Sequence, residues 1–249
     1  NFINFSISLE GQETLIEKGY LAASISLKDQ AENIVELSQP IESVISTYGP
    51  ATAFIYSVGA ADRLVSASYL GARDPQGSEA MEKIDPRFPE IMGEAFFTQQ
   101  DFNIEQAAAL DPDLIVTSAR TTWLETVAPL DFSVFLFDAE TPERLKEAMR
   151  MTGQIFGPHP SAQAEMWVAY YEGVFNRVRE VTSSLDEADR PRVLFTGTEP
   201  TRIASGEMYQ TNIIRAAGGI SVSAELSGYW NDVNLEQILI WDPDVIIVP

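Results

Sequence analysis

Two kinds of apolar pattern run along this chain, and each predicts its own kind of strand. Leu21–Leu27 and Ile34–Leu37 alternate apolar and polar positions around the polar stretch Lys28–Asn33, with Pro40 beyond, and so predict a β-hairpin. Further on, the alternation gives way to short unbroken apolar runs. Leu114–Val116 and Val245–Ile247 are of this kind; Ser43–Thr47, Arg63–Ser68, Phe132–Phe137 and Arg192–Thr196, apolar-rich but interrupted or flanked by polar residues, are further predicted strands, with a shorter one at Ile203–Ser205. Unbroken runs of this length suit strands buried on both faces of a parallel sheet. Helical stretches separate them: Ala51–Val58 behind the turn Tyr48-Gly49-Pro50 and closed by Gly59, Glu143–Phe156 closed by Gly157, and Tyr209–Ala217 closed by Gly218-Gly219. Gly71–Glu90, rich in Gly, Pro and charge, predicts a long loop. Residues 1–20 carry no assignable pattern.

The longest periodic stretch is Ser161–Leu185. Trp167, Tyr170, Tyr171, Val174, Val178, Val181 and Leu185 form a 3.6-residue stripe on it. Such a helix is roughly 35–40 Å long, enough to lie across two lobes. The charged stretch Asp186–Arg190 and Pro191 follow it.

A repeat fixes how these elements are grouped. Asn103-Ile104-Glu105-Gln106 through Asp111-Pro112-Asp113-Leu114-Ile115-Val116 recurs 131 residues later as Asn234-Leu235-Glu236-Gln237 through Asp242-Pro243-Asp244-Val245-Ile246-Ile247, with seven of fourteen positions identical. That spacing is too long for a solenoid unit and fits two similar lobes. Asn103 and Asn234 are good N-caps, with Gln106 and Gln237 placed as capping-box partners. Asp-Pro then stops each helix, since proline disfavours helical geometry in the residue before it. Each copy therefore reads helix, tight turn, buried strand. The fold predicted is α/β: two lobes, each with a central, mainly parallel sheet flanked by helices, joined by one long helix. The boundaries on this reading are residues 1–157 for the first lobe with its hairpin, 158–190 for the connecting helix and 191–249 for the second lobe. The first repeat is followed by a further strand and helix and the second by neither, which predicts a second lobe that is incomplete.

Charge and composition narrow the function. The chain has 37 acidic and 16 basic residues, a formal net charge of −21, which argues against nucleic acid and anionic membrane surfaces as partners. There is no cysteine, hence no disulfide, thiolate metal site or cysteine nucleophile. No apolar run approaches the ~20 residues that span a bilayer. The first residue is Asn1, consistent with a signal peptide or tag removed or not included.

Ligands of open parallel sheets bind beyond the carboxyl ends of the strands. Those ends carry an aromatic and basic set: Tyr48, Tyr69, Arg120 and Trp123 in the first lobe, Arg202, Tyr209, Tyr229 and Trp230 in the second. Arginine pairs with carboxylate or hydroxamate-type oxygens and aromatic rings cover flat apolar surface, so these eight are candidate ligand contacts. The plainer reading is that such side chains anchor loops to their lobes. His159, the single histidine, sits in Gly-Pro-His-Pro with no second histidine or cysteine to make a metal or catalytic site, and reads as a surface loop residue. Met149, Met151 and Met166 read as core fillers. Asp111, Asp113, Asp242 and Asp244 resemble paired acids but are explained by the helix stops. Glu105 and Glu236, at the second position of each repeat helix, complement its dipole on the plain reading.

The Tyr-Gly-Pro turn, the duplicated Asn-x-Glu helix with Asp-Pro-Asp and strand, and the long middle helix together resemble the substrate-binding proteins of ABC importers for iron–siderophore, haem and cobalamin. The resemblance covers roughly residues 24–249 and is most specific at Asn103–Val116, Arg192–Thr196 with Ser205-Gly206, and Ala216–Pro249. It implies a ligand held in a cleft between lobes, and a C-terminal part that this sequence does not contain. It further implies that Glu105 and Glu236 dock onto arginines of a permease. The expected ligand is a metal chelate, first a ferric siderophore, with haem, a corrinoid or an oxyanion as alternatives. No cofactor, catalytic residue or protein-ligated metal is expected. The expected partner is an ABC permease with its ATPase, and the chain is expected to be a monomer, not inserted in the membrane, in the periplasm or on the outer face of the cytoplasmic membrane. A rival reading, an enzyme of a related two-lobed fold, finds no Gly-rich phosphate loop, G-x-S-x-G or metal-ligand spacing.

Overall fold

The computed structural model describes residues 24–67, 75–92 and 97–248, with single positions 5, 6, 8, 11, 14, 15 and 18 ahead of them. It divides into two compact units, lobe one (Asn1–Asp138 with Glu147–Trp167) and lobe two (Ala139–Lys146 with Val168–Pro249).

In lobe one the predicted hairpin is present, β1 (Ser24–Lys28) antiparallel to β2 (Ile34–Ser38). Asp29 is buried in its turn, where Oδ1 accepts from the amides of Ala31 and Asn33, both at 2.9 Å. The turn is fastened to the main sheet through Gln30, whose amide donates to the Leu136 carbonyl and whose Oε1 accepts from the Asp138 amide at 2.8 Å. That sheet is parallel: β3 (Val44–Ser46), β4 (Leu64–Ala67), β5 (Leu114–Ser118) and β6 (Val134–Phe137), in the order β4-β3-β5-β6. Every residue of β3 and β5 is buried, as their unbroken apolar runs require.

The helices of this part are α1 (Gly49–Ser57), α2 (Pro75–Ile84), α3 (Phe88–Met92), α4 (Ile104–Leu110) and α5 (Leu124–Val127), while α6 (Pro142–Phe156) and α7 (Pro158–Thr182) each have residues in both units. Ala107 of α4 and Val127 of α5 share a core cluster with Phe97, Trp123, Ile45 and Ile115. Helices α2 and α3 correct the long loop expected at Gly71–Glu90. Local composition there is loop-like, but Phe88, Ile91 and Met92 are all buried, and that burial overrides weak propensity.

Helix α7 runs unbroken for 25 residues, shifted three residues towards the N-terminus from the predicted Ser161–Leu185. Pro158 opens it, which costs no intrahelical hydrogen bond at that position. Its large apolar stripe is not its buried face: Tyr170 and Val181 are 71% and 72% exposed, and Met166, expected in the core, is also exposed. The contact with α6 is made by small residues instead. A Cβ on Gly153 would lie 2.7 Å from Ser161 Cα and 2.9 Å from Ala164 Cβ, so the backbones meet where no bulky residue marks the sequence.

Lobe two holds β7 (Arg192–Phe195), β8 (Arg202–Ala204), α8 (Tyr209–Ala216), β9 (Ile220–Ser221), β10 (Trp230–Asp232), α9 (Leu235–Trp241) and β11 (Val245–Ile247). A parallel sheet runs β11-β7-β9, and β8 pairs antiparallel with β10. Strands β9 and β10 were not predicted; two and three residues are too few to show a period.

The repeat is structurally faithful. Asn103 Oδ1 accepts from the Gln106 amide at 3.0 Å, and Asn234 Oδ1 from the Gln237 amide at 2.7 Å. Asp111 and Asp242, each before a proline, close α4 and α9 in the left-handed region at φ 45° and 43°. The second acid of each pair ties its strand to the next. Asp113 Oδ2 accepts from the amides of Glu42 and Ser43 just ahead of β3, and Asp244 Oδ2 from the amide of Arg192 at the start of β7. The copies differ in burial, which corrects the expectation of a buried second strand. β11 is at the edge of its sheet, paired only with β7, and Val245, Ile246 and Ile247 are exposed, as are Leu239 and Ile240 of α9.

Candidate functional site

The strand order of each parallel sheet reverses at its first strand, and the crevice at such a reversal is where ligands of open sheets bind. In lobe one the chain passes from β3 to β4 on one side and then to β5 on the other, so the reversal lies between β3 and β5. A chain of buried hydroxyls marks the spot: Thr47 Oγ1 donates to Thr117 Oγ1 at 2.6 Å, and the Thr117 and Thr121 hydroxyls are 2.5 Å apart. Tyr48 and Arg120 stand on these two adjacent strand ends. Tyr48 is buried in extended geometry as the N-cap of α1, its carbonyl accepting from the Thr52 amide at 3.0 Å. Arg120 is half-buried, with its amide and Nε 3.2 and 3.4 Å from Ser118 Oγ.

Trp123 goes elsewhere. Its ring stacks on Phe102 at 4.1 Å, its Nε1 donates to the Thr98 carbonyl at 2.8 Å, and it is buried in the core, which leaves little of it to offer a ligand. Tyr69 lies outside the described residues.

In lobe two the reversal lies between β7 and β11, where the Thr196 amide donates to the Ile247 carbonyl at 3.0 Å. Just past β7, Gly197 leaves room for Trp230: a Cβ there would be 3.2 Å from the indole. The Arg202 guanidinium sits 6.0 Å from the centre of the same ring, at the edge of cation–π range. Arg202 and Trp230 are thus brought together on the β8–β10 ribbon. Tyr209, at the start of α8, meets Tyr171 of α7, hydroxyl to hydroxyl at 3.0 Å. Burial, then that bond, pushes the Tyr171 phenol well above its ordinary value. Tyr229 is half-buried, and its carbonyl accepts from the Ser205 amide at 2.9 Å.

Small hydroxyls again stand behind this end of the lobe. Thr211 Oγ1 donates to the Ser205 carbonyl and Ser223 Oγ to the Ala204 carbonyl, at 2.8 and 2.7 Å. These hydroxyls in both lobes were missed from sequence; the available signal was Ser or Thr closing the apolar runs at 47, 117, 196 and 205.

Glu105 and Glu236 are exposed at the same position of α4 and α9, one in each lobe. His159 is in the first turn of α7, not in a loop as expected from the prolines around it. It is exposed beside Asp62 and Arg63 at a cavity of ≈ 510 Å³.

A family model described as a periplasmic binding protein matches residues 44–249. The chain belongs to this family. A vitamin B12-binding protein of Yersinia pestis is 26% identical over 214 residues, 85% of this chain and 70% of the relative. Among solved structures, a molybdate periplasmic binding protein of Haemophilus influenzae aligns with a TM-score of 0.77 at 16% identity, over 90% of this chain and 73% of that one. The periplasmic vitamin B12 binding protein of Vibrio cholerae aligns with a TM-score of 0.66 at 21% identity, over 84% and 76%. At these identities the structural matches speak to the fold of two α/β lobes joined by one long helix. No helix among the described residues of this periplasmic binding protein is long and apolar enough to cross a membrane.

Proposed function

We propose that the chain is the extracytoplasmic receptor of an ABC importer. It takes up a metal chelate at the carboxyl-end loops of its parallel strands and delivers it to a permease, without catalysing a reaction. The observation that carries this reading is the duplicated switch point, furnished with Arg120 in lobe one and with Arg202 and Trp230 in lobe two; Tyr48, as buried as Trp123, backs the first. Arginine forks suit the oxygens of a chelate and the rings suit its apolar surface. Tyr209 and Tyr229 stand at the same end of lobe two and extend the set.

Two chelate classes are carried forward. The arginines favour the anionic oxygens of a ferric siderophore. The name of the relatives that match in sequence, vitamin B12-binding protein, favours a corrinoid. Glu105 and Glu236 are the proposed contacts to the permease. The test is a titration of the full chain with ferric siderophore, cobalamin, haem and molybdate, read by tryptophan quenching and native mass spectrometry. One chelate is expected to bind at one-to-one stoichiometry. Saturable binding of molybdate alone, or of none of the four, would sink the proposal.

A further inference from the structure

The acidic balance of the chain is reversed at one place in lobe two. A cavity of ≈ 250 Å³ is lined by Arg179, Arg190 and Arg215, with Glu143 as the only acidic residue among its lining, and with Thr182 and Asn212 beside them. In a sequence with 37 acidic and 16 basic residues, three of the sixteen face one small hollow. Arg179 and Arg215 come from the last turns of α7 and α8, and Arg190 stands two residues ahead of β7. The hollow is therefore by the amino end of that strand, opposite to the loops that carry Arg202 and Trp230.

Arg190 is held in place from behind. Its guanidinium donates to the carbonyls of Gly218, Thr182 and Leu185 at 3.4, 3.3 and 3.2 Å. Arg179 lies 5.7 Å from the centre of the Phe175 ring, which in turn stacks on Tyr171 at 4.7 Å. Among the described residues neither Arg179 nor Arg215 has a carboxylate ion partner.

The plainer reading is that arginines in last turns offset helix dipoles. That accounts for part of the charge only. Two helix C-termini supply together about one negative charge, and Glu143 supplies another, which leaves about one of the three guanidinium charges uncompensated. Like charges gathered in one hollow repel unless an anion joins them.

We propose that this hollow binds a small tetrahedral oxyanion of the phosphate type, at a site separate from that of the chelate. The volume falls below the roughly 300–1,000 Å³ of pockets that take larger organic ligands, which suits a small anion better than a second chelate. Guanidiniums approaching from three elements suit an anion with oxygens in several directions better than a planar carboxylate.

The probe is inorganic phosphate, with sulfate as a second and chloride at matched ionic strength as control. Calorimetric titration and thermal unfolding of the full chain are expected to show saturable binding of phosphate that raises Tm above the chloride control. R179Q/R215Q is expected to weaken phosphate binding about tenfold or more, the loss of charge-assisted hydrogen bonds, while chelate binding is unchanged. Arg190 is left intact because it clasps backbone. If the double variant does not fold, R215Q alone serves, since Arg215 is exposed and has no carboxylate ion partner among the described residues. Stabilisation no greater than that by chloride overturns the site, and so does phosphate binding by the folded variant as tight as by the parent.

Discussion

Trp230 owes its position to what residue 197 lacks. With no Cβ at Gly197 the indole lies over the end of β7, within reach of Arg202. Aromatic and arginine side chains placed this way carry a disproportionate share of binding energy in protein sites generally. Trp230→Ala is therefore expected to weaken chelate binding by about ten- to a hundredfold, equivalent to ~1.4–3 kcal/mol. A denaturant melt of the same variant should move little, since Trp230 is only half-buried. Asp85 is the opposite case, a residue that works on stability. Burial raises its carboxyl pKa, but bonds from the Arg87 side chain and amide and from the Tyr56 hydroxyl prevail and hold it below the usual carboxylate value. Arg87 in turn donates to the Ala61 carbonyl at 2.8 Å, so the cluster ties the start of α3 to the segment ahead of β4. A depressed folded pKa stabilises above the unfolded value and loses that contribution as pH falls through the folded one. Asp85→Asn should thus cost about 1.5–3 kcal/mol at pH 7. The gap between variant and parent should narrow below about pH 4, and urea melts at pH 7 and pH 3 would measure it. A gap that stays constant with pH would show that the carboxylate charge is not what matters.

At the scale of elements, the crossing of α6 and α7 rests on a single missing side chain. Gly153→Ala would set a Cβ against Ser161 backbone, and such overpacking costs about 1–3 kcal/mol. A fall in urea midpoint with an unchanged m-value would be the signature. This contact also marks where the sequence stops being legible. The parallel strands announced themselves as unbroken apolar runs, and the two Asn caps and Asp-Pro stops as local chemistry that needs no tertiary partner. Those features gave the duplicated α4–β5 and α9–β11 units and, through the ends of the runs, the positions of Tyr48, Arg120 and Arg202. What failed was whatever depends on a distant neighbour. The bulky stripe on α7 marks a long helix but not its contact with α6, which Ala164 and Gly153 make. Helix α3 exists because Phe88, Ile91 and Met92 find a core that their own segment does not advertise. Trp123 looked like a loop aromatic, but Phe102 and the Thr98 carbonyl claim it.

For the whole molecule, the duplication puts one exposed glutamate at an equivalent place in each half. Glu105 and Glu236 both follow an Asn cap by two residues, both open a helix that leads into a parallel strand, and neither is needed to close its cap, which the Asn side chains and the Gln106 and Gln237 amides complete. A dipole term of about 0.3–1 kcal/mol gives no reason for the same position to carry the same acid twice. Docking onto a permease with cationic counterparts does, because two matched charges specify an orientation that one does not. Reversal of both, Glu105→Arg with Glu236→Arg, is expected to abolish co-sedimentation with permease-loaded vesicles while the affinity for chelate stays at the parental value. Each single reversal should weaken docking in part. Added salt should weaken docking of the parent as well, since exposed charges are screened over about 8 Å at physiological ionic strength. Vesicle binding unchanged in the double reversal would remove these residues from the interface, whatever the chelate proves to be.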